Sequence, residues 1–302
     1  MKKTWVVLIL IAGVLLSGCV SEEAIDQNRK LIVVGISPMK EWVETIGGDS
    51  VQVQVMIPPG NSPANYEPTT RQLLVLEEMD RYFAVGVGAE TDGFLTRLYP
   101  GGDERVIRLD QAVSEVYPDR MMMAHGHGDE ETEETEDQDH VGRDPHIWLS
   151  IPRTKVMIQR ITEELSIINP DEKESYQNRS EAYLASLEEL DQDLKARFLE
   201  VSNNHFLLFH PSLGYFADEY GLEMMVIEED GKSATPSHLM EVIDEAKAKD
   251  IRTVFYQEEF DENQAKTIAE ELNGDLLPLS ILNENYLSGM KEIGEELLKS
   301  ME

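Results

Sequence analysis

The chain has a single cysteine in 302 residues, Cys19, so no internal disulfide can hold it together. Basic residues are scarce as well: 26 Lys and Arg stand against 59 Asp and Glu, a formal net charge of −33. Phosphate backbones are gripped by clustered cations, so nucleic acid is excluded as a partner. No apolar run approaches the ~20 residues of a membrane-spanning helix, and the longest, Trp5 to Leu16, reaches roughly half of that. There is no His-Glu-x-x-His helix, no Gly-x-Ser-x-Gly elbow and no phosphate loop, which removes the usual hydrolase and nucleotide-binding signatures.

What is present at the N-terminus is Met1-Lys2-Lys3, the short apolar run, and Leu16-Ser17-Gly18-Cys19. Two lysines, an apolar stretch and small residues before a cleavage point form a secretory signal over residues 1–18. The four residues ending at Cys19 look like a lipobox, whose cysteine carries lipid in the mature protein. The expectation is an extracytoplasmic domain anchored to the outer face of the cell membrane by acyl chains on Cys19, with residues 19–30 as a polar tether. The acidic surface suits solubility and attracts cations.

The hydrophobic fraction of 41% supports a substantial core. Leu31 to Ile36 is a short apolar run, Val51 to Ile57 alternates, and Tyr82 to Gly86 and Arg105 to Leu109 are further strand candidates, with helical patterns between them. A second strand–helix alternation starts at Phe206. It has strands at 206–209, 224–227, 253–256 and 276–279, and Pro211 placed in the first turn of a helix ending near Gly221. Between the halves, apolar spacings of three and four from about Asp171 to Phe198 predict a long helix. The predicted fold class is α/β: a lobe over 31–150, linking helices over 151–202 with one long backbone helix, and a second lobe over 203–302, each lobe with a mainly parallel sheet flanked by helices. Residues 124–143 hold a run of carboxylates that buries nothing and reads as an acidic loop, in which His125, His127 and His140 could collect metal weakly.

Two histidines stand apart from the rest. His146 lies in Asp144-Pro145-His146-Ile147-Trp148-Leu149, and His210 ends an apolar strand. Ligands in open α/β sheets gather beyond the carboxyl ends of strands, so both imidazoles could face one crevice between the lobes. Neutral imidazole binds zinc and similar metals, and carboxylates complete such sites. Glu258 and Glu259 follow the 253–256 strand and are the carboxylate candidates. Asp261 reads as the cap of the next helix, and His205 and His238 as surface or cap residues.

These segments resemble the zinc/manganese substrate-binding lipoproteins of metal ABC importers. The resemblance runs from Val33 to Met301. It rests on the lipobox, Pro58-Pro59-Gly60-Asn61-Ser62-Pro63 with Tyr66-Glu67-Pro68, the Asp144 to Leu149 segment, and His210-Pro211-Ser212-Leu213-Gly214-Tyr215-Phe216-Ala217. It implies two α/β lobes bridged by a rigid helix, a divalent metal held between them (Zn²⁺ first, Mn²⁺ or Fe²⁺ as alternatives), and delivery to an ABC permease and its ATPase by a monomer, with no enzymatic step. His146 and His210 match two of the family's ligands. Ala64 stands where the first histidine is usual, and Ser280 where the final aspartate is usual. Glu259 is the favoured replacement donor, with Asn65, Glu67, Glu258, Ser280 or water as alternatives. Two other functions are weighed: a surface adhesion or interaction lipoprotein with a degenerate metal site, and a metal-dependent hydrolase built on two histidines and a carboxylate.

Overall fold

A computed structural model describes residues 26–122, 142–228, 234–260 and 262–301. Cys19, the signal segment, Asp261 and the acidic loop with His125, His127 and His140 lie outside the described residues.

The first half builds strand β1 (Lys30–Ile36), helix α1 (Pro38–Gly47), β2 (Val51–Ile57), α2 (Thr70–Glu78), β3 (Arg81–Ala84), α3 (Phe94–Leu98), β4 (Val106–Arg108) and α4 (Leu109–Ser114). Two linking helices follow, α5 (Ile151–Ile168) and α6 (Lys173–Phe198). The second half is β5 (His205–Leu208), α7 (Gly214–Tyr220), β6 (Glu223–Val226), α8 (Pro236–Ala248), β7 (Thr253–Tyr256), α9 (Asn263–Leu272), β8 (Asp275–Pro278) and α10 (Tyr286–Ser300). Each half contributes one four-stranded parallel sheet, ordered β2-β1-β3-β4 and β6-β5-β7-β8, so the two share one topology.

Parallel strands covered on both faces read as continuous apolar runs because both sets of alternating side chains must be buried. β5 shows this residue by residue. Phe206 and Leu208 join the large core shared with the linking helices, whereas Leu207 and Phe209 face the opposite way into a smaller core under α8 and α9.

The 26 residues of α6 extend for about 39 Å at ~1.5 Å per residue. Its buried stripe is Tyr176, Ser180, Tyr183, Leu187, Leu190, Leu194 and Phe198, a spacing of three and four that presents one face to the core. Near its start, Arg179 Nε donates to the Ile46 carbonyl at the end of α1 (2.6 Å), and Tyr183 Oη donates to Glu41 (2.6 Å). Near its end, Tyr220 of α7 donates to Asp191 (3.1 Å), and Gly294 lets α10 approach so closely that a Cβ there would lie 2.4 Å from Leu194. One helix is therefore fastened to both halves.

The end of the chain doubles this fastening. Trp148 Nε1 donates to the Ile281 carbonyl (2.9 Å), Tyr286 Oη donates to the Trp148 carbonyl (2.7 Å), and the Tyr286 ring meets Trp42 edge-on at 5.1 Å. The expected helix beginning at Pro211 is shorter than its sequence suggests. It starts at Gly214, because residues 210–212 are held in a separate turn described below, and it ends at Gly221, whose φ of +68° stops the helix in the left-handed conformation.

Candidate metal centre

His146 and His210 come together. Their ring centroids lie 5.3 Å apart with an interplanar angle of 72°, and each ring is largely shielded from solvent. His146 arrives from the connector ahead of α5, and His210 from just past the end of β5.

Each imidazole is mounted on a buried carboxylate through Nδ1. For His146 the partner is Asp144, at 2.8 Å, and the same oxygen accepts from the His146 backbone N–H at 3.0 Å. Asp144 is fully buried, and its second oxygen accepts from Arg120 Nη1 at 3.1 Å. Burial alone drives its pKa upward, but the hydrogen bonds and charge of His146, with the charge of Arg120, outweigh burial and hold the carboxyl below its usual range. For His210 the partner is Glu228 Oε2. Burial pulls the pKa of His210 below its ordinary value, with the charge of His146 acting in the same direction and Glu228 opposing both. Burial thus favours the neutral ring, in which one nitrogen offers a lone pair.

An aromatic ring attends each histidine. Trp148 sits 5.3 Å from His146, and Phe260 stacks on His210 at 4.3 Å with planes only 20° apart. The turn that carries His210 is gripped by Gln257, which is fully buried just beyond β7. Its Nε2 donates to the His210 carbonyl (2.8 Å) and to Ser212 Oγ (2.6 Å), and its Oε1 accepts from the His210 N–H (3.3 Å). Three neighbouring strand ends thus build one mount: β5 supplies His210, β6 leads to Glu228, and β7 leads to Gln257 and Phe260.

The other expected donors each have surroundings of their own. Glu67 is exposed and bound by Arg97 at 2.6 and 2.7 Å. Asn65, Glu258 and Ser280 are exposed, as is Ala64, whose carbonyl packs against Gly88. Glu259 is half-buried. Its Oε2 is shut away from solvent with no hydrogen-bond partner, and burial raises its pKa. His205 pairs with Glu223 (3.0 Å), and the His238 N–H caps onto Thr235 (3.3 Å). Among the described residues, no three or more His, Cys, Asp or Glu side chains converge as a ready-made metal cage.

The sequence reading missed Glu228, Gln257 and Phe260, and gave Asp144 no role of its own. Asp144 had a signal: it stands two residues before a histidine, with a proline between. The other three are brought to His210 only by the order of strands in the sheet.

Residues 32–300 match the family described as ZnuA, zinc-uptake complex component A periplasmic. The chain belongs to this family. Among curated relatives of this ZnuA-family chain, it is 26% identical over 306 residues to "Zinc-binding lipoprotein AdcA" of Streptococcus pneumoniae (strain ATCC BAA-255 / R6), covering 97% of the chain and 60% of that relative. It therefore spans about 60% of AdcA's length. It is 25% identical to "Manganese ABC transporter substrate-binding lipoprotein scaA" of Streptococcus gordonii, covering 98% of the chain and 93% of the relative. A solved structure described as "Crystal structure of ZnuA" superposes with a TM-score of 0.79 at 31% identity, covering 91% of this chain and all of the other.

Proposed function

We propose that the protein is the extracytoplasmic substrate-binding component of an ABC importer, which captures a divalent transition metal between its two halves and delivers it to a permease. Zn²⁺ is the first assignment and Mn²⁺ the second, since relatives carry both names. The observation that carries this reading is the pair of imidazoles at 5.3 Å, one from each side of the molecule, each with Nδ1 occupied by a buried carboxylate. That arrangement leaves both Nε2 atoms as donors. Metal-binding histidines are commonly oriented by an outer carboxylate in this way.

Two nitrogens do not complete a zinc shell, which is usually four-coordinate. Glu259 is the candidate third donor, one that would have to swing toward the two rings as metal binds: it directly precedes Phe260, whose ring lies on His210, and one of its oxygens is buried without a partner. Water takes the open positions. The work is capture and release of cargo, with no bond chemistry. Because α6 and the C-terminal segment tie the halves together, release follows shifts of the site loops rather than wide opening of the lobes. The lipid on Cys19 would keep the receptor beside its permease.

Calorimetry with Zn²⁺ and with Mn²⁺ on chelator-stripped protein tests this directly. One saturable site per chain is expected, and a raised melting temperature by mass action: about 2.7 kcal/mol of added stability at a free metal concentration near 100 Kd. Absence of a saturable site for either metal removes the reading.

A further inference from the structure

We infer that Glu228 is a positioning residue that selects the His210 tautomer and so aims its Nε2 into the cleft toward His146. This rests on the metal-capture reading for its purpose, but not for its test.

The case begins with the cost of the carboxylate. Glu228 is 7% exposed, and among the described residues the ion-pair partner of its side chain is His210, with no Lys or Arg beside it. A buried carboxylate without a cation is expensive, and replacing it by an apolar residue of similar size would ordinarily cost a fold little. The backbone shows how it is placed. Beyond the formal end of β6, Ile227 N–H still donates to the Leu208 carbonyl (3.0 Å) and Glu228 N–H to the Phe209 carbonyl (3.0 Å). The ladder therefore runs on until Glu228 stands level with the end of β5, where its carboxylate accepts from His210 Nδ1.

A neutral imidazole carries one proton, and a carboxylate acceptor at Nδ1 keeps the proton there. The two ring nitrogens lie on different edges, so a carboxylate bound at Nδ1 cannot also ligate an ion held at Nε2. Glu228 is thus an orienting partner and not a donor in its own right. Gln257 fixes the backbone on both sides of His210, and Phe260 fixes the plane of the ring. Neither touches Nδ1, so tautomer choice falls to Glu228.

The test uses nitrogen NMR of the histidine rings in metal-free protein at about pH 8, beside zinc affinity by chelator competition. The wild type should show the Nδ1–H form at His210. Glu228→Leu removes the acceptor and should give an Nε2–H or mixed tautomer at His210 alone, with zinc affinity lower by about 10- to 100-fold. Glu228→Gln keeps an acceptor without the charge; it should hold the tautomer and fall between the two in affinity. An unchanged His210 tautomer in Glu228→Leu overturns the inference, as does an equal change at His146, which would mark general loosening. If the wild type binds no metal while Glu228→Leu still switches the tautomer, the inference stands and the transport reading falls.

Discussion

The two histidines face each other from different mounts. His146 is held by Asp144, two residues away on the same segment, and Asp144 is embedded in a network with Arg120 and with Tyr215, whose hydroxyl donates to the Asp144 carbonyl at 3.2 Å. Arg120 reaches on to Asp218 of α7 at 3.0 Å, so this mount also clasps one half of the molecule to the other. His210 is held by groups 18 and 47 residues distant, collected by strand order, and its carboxylate has no such network among the described residues. The first mount ties into the packing between the halves as well as into its ring, whereas the carboxylate of the second, among the described residues, grips its ring alone. This difference separates two quantities that often move together in binding proteins.

The largest effect should come from the rings themselves. His146→Ala or His210→Ala is expected to lower zinc affinity by more than the roughly 100-fold upper range for orienting partners. Deleting residues 125–140 should cost less than either, because a run of carboxylates attracts cations but does not replace the paired imidazoles of the cleft. Competition titrations on the three variants give the ranking, and a deletion that costs more than the alanine changes moves the site out of the cleft.

A second contrast is internal to the first half. Glu90, just beyond β3, is buried with its carboxyl against Tyr82 Oη (2.9 Å) and the Gly86 N–H (2.7 Å), with Asp110 nearby holding Arg108 and Arg143. Burial, opposed by those hydrogen bonds and aided by the charge of Asp110, leaves its pKa pushed up to about 7 from 4.5. Between these values the folded chain keeps a proton that the unfolded chain has lost. Stability from this group is therefore full below about pH 4.5 and declines by about 3 kcal/mol as pH rises to about 7. Denaturant melts across that window should show the decline in the wild type and lose that component in Glu90→Gln.

The mounts themselves are separated by paired substitutions. Asp144→Leu and Glu228→Leu should weaken zinc binding comparably. Asp144→Leu should also lower folding stability by about 2 kcal/mol, because it strips a charged hydrogen-bond partner from Arg120 and His146 together. Glu228→Leu should cost less than half of that, because it removes an expensive buried charge along with the bond. Equal losses of stability would mean that the mounts are equivalent and that the contrast is superficial.

What the sequence made legible follows the same division. The strands, the long helix and its three-and-four stripe were readable because apolar periodicity reports burial directly. His146 and His210 were readable as candidates because each sits beside a proline, His146 just ahead of an apolar segment and His210 at the end of an apolar strand. Glu228, in Ile227-Glu228-Glu229-Asp230, looks like one more carboxylate in an acidic chain. Its role depends on β6 lying next to β5 and on the ladder running two residues past the strand, neither of which is written locally. Pro211 misled for a related reason: it suits a helix start, but Gln257, just beyond β7, grips residues 210–212, and the helix begins at Gly214.

The smallest expected effect tests the aromatic partners. Trp148 is fully buried and bonded to Ile281, so removing it damages the core before it informs on the site. Phe260 is half-buried and covers the face of His210 at 4.3 Å, so its ring can be trimmed with less damage. A stacked pair contributes about 0.5–1.5 kcal/mol beyond area burial. If that contribution holds the His210 plane, Phe260→Leu should weaken zinc binding by about 2- to 10-fold while the His210 tautomer stays on Nδ1, since Glu228 is untouched. A tautomer change in this variant would transfer the orienting role from the carboxylate to the ring, and the two mounts would then differ less than their hydrogen bonds indicate.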